Sequence, residues 1–76
     1  MENFLSIFKS QFQRGLDGIT LDSEFRNLEE WSSMQSLFII AAVDEHFDVQ
    51  LKELDFREAV TIRDLKTQVE KYLSNA

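Results

Sequence analysis

Residues 31–48 read Trp31-Ser32-Ser33-Met34-Gln35-Ser36-Leu37-Phe38-Ile39-Ile40-Ala41-Ala42-Val43-Asp44-Glu45-His46-Phe47-Asp48, and the reading of this stretch decides the fold. Leu37, Ile40, Val43 and Phe47 recur at three- and four-residue intervals, the spacing of one face of an α-helix, and Met34 extends that row toward its start. Phe38, Ala42 and Glu45 fall on a different side. Ser32 stands where such a helix would begin and has Gln35 three residues later, the reciprocal pattern of a capping box. The spacing therefore predicts a helix over 33–47, capped by Ser32, opening on Ser33 and turning Leu37, Ile40, Val43 and Phe47 to a core.

Working outward, Phe4, Leu5, Phe8 and Phe12 fall at helical spacing, Arg14 suits a final turn and Gly15 offers a left-handed stop, which predicts a first helix over 3–14. Asp17-Gly18 then signals a turn. Ile19, Leu21, Phe25 and Leu28 follow without a sustained helical period, as in a long loop pinned to the core by its apolar residues. Trp31, just before the cap, is expected to anchor that loop, with Met34 or Leu37 as its staple partner. Beyond the central helix, Val49-Gln50-Leu51 alternates like an extended segment. Asp55 with Glu58 suggests a one-turn helix through Ala59, and Thr61 with Asp64 suggests a cap for a last helix carrying Ile62, Leu65, Val69 and Leu73 on one face. The expected fold is all-α: a small bundle of three main helices and one short helix, with a long loop between the first two.

Seventy-six residues with no repeat, Pro-rich stretch or low-complexity tract read as a single domain over 1–76. A chain this small buries only about 60 % of the surface exposed when unfolded, so modest stability is expected. Met1-Glu2-Asn3-Phe4-Leu5 lacks a basic start and does not read as a signal peptide. The longest apolar run, Leu37 to Val43, is far short of the roughly 20 residues a membrane-spanning helix needs. A cytoplasmic monomer without a membrane span is the expectation. The net charge of −6 is unevenly placed, because residues 17–48 hold eight carboxylates against Arg26 alone. Such a field repels nucleic-acid phosphates and attracts basic protein surfaces.

The residues do not assemble a catalytic set. A serine nucleophile needs a base, and the only histidine, His46, lies thirteen residues beyond Ser33 on the same predicted helix, roughly 20 Å away. Asp44 and Asp48 share a face, but His46 points about 200° from Asp44, so the three do not form a chelate. There is no phosphate-binding glycine loop, and no cysteine to act as nucleophile or metal ligand. The chain does not read as an enzyme.

The pentapeptide Trp31-Ser32-Ser33-Met34-Gln35, followed by the apolar helix and by Asp44-Glu45-His46-Phe47-Asp48-Val49, resembles the attachment-site region of acyl carrier proteins. The resemblance runs from Leu21 to Leu73 and includes the order of helices, long, long, short, long. It implies that Ser33 carries a 4'-phosphopantetheine arm taken from coenzyme A by a phosphopantetheinyl transferase. The arm would hold an acyl or aminoacyl group as a thioester. Acyl-loading ligases or transferases and downstream synthase enzymes would then be partners. They would dock on the exposed side of the central helix, here Met34, Gln35, Phe38, Ala41, Asp44 and Glu45. The family usually has aspartate before the serine and acids along this side, whereas Ser32 and an uncharged first half stand here. That departure points away from a general carrier of fatty acid synthesis. Phe38 either adds an apolar contact to a dedicated partner or packs beneath the 17–31 loop. The rival reading is an unmodified acidic helical module, an adaptor or inhibitor that binds a basic protein surface.

Overall fold

The computed structural model describes residues 4–12, 18–28 and 30–74, and these form an all-α fold. Its elements are α1 (Phe4–Ser10), a 3-10 turn (Phe25–Asn27), α2 (Ser33–Phe47), α3 (Glu53–Glu58) and α4 (Ile62–Ser74). No described helix is long and apolar enough to cross a membrane.

The first helix stops at Ser10, short of the expected Arg14; Asn3, Arg14 and Gly15 lie outside the described residues. The cause is competition for one carbonyl. Ile7 O accepts from the Ser10 hydroxyl at 2.7 Å and from the Gln11 side-chain amide at 3.3 Å, and the backbone tightens to Gln11 N–H to Phe8 O and Phe12 N–H to Lys9 O. Phe4, Phe8 and Phe12 are nonetheless buried, as their spacing predicts.

Trp31 lies at the meeting point of the aromatic residues. Its indole stacks on Phe8 at 6.2 Å, meets Phe25 edge-on at 4.8 Å and approaches Phe56 at 6.0 Å, so it ties α1, the long loop and α3 to the residue before the cap of α2. Its partners are these phenylalanines rather than Met34 or Leu37, which are exposed. The loop is pinned as expected, with Phe25 fully buried and Ile19, Leu21 and Leu28 packed against the core.

The loop also completes α4. The first N–H groups of a helix lack intrahelical acceptors. Here Ile62 N–H donates to Ser23 O at 3.1 Å and Arg63 N–H to Leu21 O at 2.7 Å, while Arg63 Nε meets Asp22 Oδ1 at 2.9 Å. That pairing holds the Asp22 carboxyl below its usual range. The predicted box at Thr61 and Asp64 is formed: Asp64 N–H donates to Thr61 Oγ1, and Asp64 Oδ2 accepts from the N–H groups of Thr61 and Val60. These bonds depress the Asp64 pKa. Ile62, Leu65 and Val69 are buried, but Leu73, expected on the same face, is exposed in the last turn.

The short helix α3 begins earlier than Asp55, which is not its cap. Lys52 occupies the cap position, and Asp55 Oδ2 reaches back to accept from Lys52 N–H at 2.8 Å. The same buried carboxylate accepts from Tyr72 Oη at 3.0 Å, joining α3 to α4. At the other end, Arg26 donates from its two terminal nitrogens to the carbonyls of Phe56 and Ala59, which closes the last turn of α3 from the long loop. Between α2 and α3, Val49 and Leu51 are buried and Gln50 is exposed, in keeping with their alternation.

Candidate functional site

The candidate site is the amino end and outer face of α2. The helix spans Ser33–Phe47, as its sequence predicts, but it is rolled about its axis relative to the expected orientation. Ser36, Ile39, Ala42 and Val43 are its buried residues, with Ile40 and Phe47 half-buried beside them. Leu37, expected in the core, is 59 % exposed, Met34 is 60 % exposed, and Ala42, expected on another side, is buried. The seven apolar residues from Leu37 to Val43 surround the helix and leave periodicity little to choose between. The small side chains of Ser36 and Ala42 fit the tightly packed side instead.

Three serines at the start of α2 have three different environments. Ser32 has extended backbone, and its Oγ accepts from Gln35 N–H at 3.3 Å, which satisfies one of the free donors of the first turn. Ser36 is 7 % exposed, and its hydroxyl donates to Ser33 O at 2.7 Å. Ser33 lies between them, exposed, with no hydrogen-bond partner for its hydroxyl among the described residues. Only half of the predicted capping box is made. Gln35 is half-buried with Oε1 turned inward, where it has no partner among the described residues, so its side chain does not return to Ser32.

With 100° per residue, Ser33, Asp44, Leu37, Asp48, Ala41, Met34, Glu45 and Phe38 fill a continuous arc of about 140°, and all eight are exposed. Of the residues expected on the partner side, Met34, Phe38, Ala41, Asp44 and Glu45 therefore share the outer face with Ser33, and Gln35 does not. Phe38 is 47 % exposed, which places it on this face and not under the loop. Leu37 and Asp48 are additional members. A wheel centred on Ser33 finds Leu37, 40° away, whereas the apolar row assigned it to the interior.

The face is divided along its length. Met34, Leu37, Phe38 and Ala41 make its first half apolar, and Asp44, Glu45 and Asp48 make its far end acidic. The helix closes with Asp48 in the left-handed region (φ 56°), its N–H donating to Asp44 O at 3.0 Å. His46 is exposed near the same end, about 20 Å from Ser33. Elsewhere, a cleft of about 300 Å³ lies between α3 and α4, lined by Asp55, Glu58, Asp64 and Lys71 among others and by no residue of α2. Its polar lining does not suit an apolar chain.

No family model, curated protein or solved structure matches this chain.

Proposed function

We propose that the chain is a carrier protein, in which the Ser33 hydroxyl is joined through a phosphodiester to a 4'-phosphopantetheine arm. The observation that carries this reading is the division of labour among the serines: Ser32 is committed to the cap, Ser36 is buried, and Ser33 presents an unengaged hydroxyl to solvent at the first position of a rigid helix. The residues fit the group. A phosphate attached there lies at the positive end of the α2 dipole, a placement worth roughly 0.3 to 1 kcal/mol. When bound, the arm supplies the terminal thiol that holds a substrate as a thioester, chemistry for which the cysteine-free chain has no group of its own.

The chain's own contribution is positional. Trp31, clasped by Phe8, Phe25 and Phe56, fixes the approach to the cap, and the cap fixes Ser33. The base and metal that activate the hydroxyl come from the modifying transferase. Loading and synthase enzymes would then meet the outer face of α2. The cytoplasm is the compartment this reading suits.

Intact mass after coexpression with a promiscuous phosphopantetheinyl transferase tests the proposal. The wild-type chain and Ser32→Ala gain one arm, and Ser33→Ala gains none. The exposed apolar residues Met34, Leu37 and Phe38 also suit the second reading, an unmodified interaction module. An unshifted wild-type mass would favour that module and end the carrier proposal.

A further inference from the structure

Met34, Leu37, Ala41, Asp44 and Asp48 recur at alternating three- and four-residue steps along the exposed side of α2, the spacing by which one helix packs lengthwise against another. The first three are apolar, and Phe38 flanks them. Met34 is 60 % exposed, Leu37 59 % and Phe38 47 %, so the seam has no cover within its own chain. A second α2 laid antiparallel on the first, with the two-fold axis passing between Leu37 and Phe38, covers it. Each Leu37 then meets its counterpart, each Phe38 does the same, and Met34 faces Ala41, a long side chain over a short one at both ends of the apolar stretch.

Charge selects the same arrangement. Ser33 and Asp44 lie on one edge of the face, about 20° apart, so the two-fold axis brings Asp44 of one copy about 3 Å beyond Ser33 of the other along the helix. That end of α2 is the positive end of its dipole. Its first turn holds no acid, and the N–H groups of Ser33 and Met34 have no acceptor among the described residues. In its own chain Asp44 sits at the negative end of the helix, where the dipole opposes it. Pairing moves it to the favourable end of the other copy. Glu45, on the opposite edge, falls nearest Glu30 at the rim, where salt screens the repulsion. A parallel pair would set Asp44 and Asp48 against their own counterparts.

We infer that the unmodified chain pairs with a second copy of itself across this face, antiparallel, with Ser33 of each copy closed beneath Asp44 of the other, and is not the monomer its sequence alone suggests. One helix face buries less than the roughly 800 Å² per partner of a standard interface, so the pair forms and parts with concentration. The pair stands without the carrier reading. On that reading a phosphodiester at Ser33 sets a negative charge against Asp44, so the arm and the pair exclude one another, and the pair keeps unmodified chains from the enzymes that would use them.

Sedimentation equilibrium of the full unmodified chain, from micromolar to sub-millimolar concentration, tests the pair. The apparent mass should climb from 8.9 kDa toward twice that value, and Leu37→Gln/Phe38→Gln should stay at the lower value. Asp44→Lys should weaken association several-fold even though it lowers the net charge of each chain. Because the chain has no cysteine, cross-linking then reads the direction. Met34→Cys mixed with Ala41→Cys and oxidised should give the mixed disulfide, whereas neither variant alone should link to itself to a comparable extent. All the substituted residues are exposed, so thermal melts of dilute samples by circular dichroism should stay close to wild type. A wild-type mass that never rises, a tighter pair in Asp44→Lys, or self-linked Met34→Cys and Ala41→Cys overturns the inference. Arm attachment is scored separately by intact mass: a monomer that gains an arm refutes only the pair, and a pair that never gains one refutes only the carrier reading.

Discussion

The orientation of α2 underlies the whole site, and a matched pair of truncations tests it. Ile39 is 1 % exposed and Leu37 is 59 % exposed, two residues apart on the same helix. Ile39→Ala removes a fully buried side chain from a close-packed core, at a cost of about 3 kcal/mol including the cavity left behind. Leu37→Ala removes a side chain already largely in water and replaces it with the best helix former, so its cost stays within about 0.5 kcal/mol. In a domain of this size each kcal/mol moves Tm by about 4–8 °C, which separates the two variants by more than about 10 °C. Thermal and urea unfolding followed by circular dichroism reads the difference. Ile39→Val, expected to cost about 1 kcal/mol, keeps the comparison measurable if the alanine variant is too unstable to study. Equal losses in Leu37→Ala and Ile39→Ala, or a larger loss in Leu37→Ala, would show the helix turned the other way and refute the outer face.

Two further outcomes follow from the polar contacts around α3 and α4. Arg26→Met removes both donors to the carbonyls of Phe56 and Ala59, and should cost about 2 kcal/mol in urea unfolding and speed amide exchange within α3; unaltered exchange in α3 would mean the arginine does not secure it. Asp64 has a folded-state pKa lowered by the N–H groups of Thr61 and Val60, so its stabilisation is present above the unfolded aspartate pKa and lost as pH falls through the lower folded value. Asp64→Asn should therefore melt below wild type near neutral pH, and the gap should close as pH drops below about 4. A gap that does not change with pH would remove the charge from the argument.

The all-α architecture was legible because four of its signals are local: the Ser32 cap, the Thr61–Asp64 box, the apolar row of α4, and the pinning residues of the loop. The extent of α1 was not, because side-chain competition for the Ile7 carbonyl leaves no trace in apolar spacing. Nor was the start of α3. Asp55 is a residue that commonly opens helices, but here it acts from the third position, reaching back to Lys52. The roll of α2 was the costliest miss. In a helix apolar on nearly every side the buried face is chosen by its neighbours, and the sequence of α2 alone does not contain them. Ser33 needed no such context, since a helix-opening serine after a serine cap is visible in the order of residues. The company it keeps, Leu37 above all, became visible only once the helix was packed.

The bonds from Ile62 and Arg63 to Ser23 and Leu21 give the long connection a duty beyond spanning two helices. Lifting residues 21–25 away would strand two amide donors at the head of the last helix and pull Phe25 out of the interior, so this segment is a fastened strap and not a flap. On the carrier reading, a modifying enzyme would gain no room by pushing it aside. It would instead reach Ser33 along the exposed flank of α2.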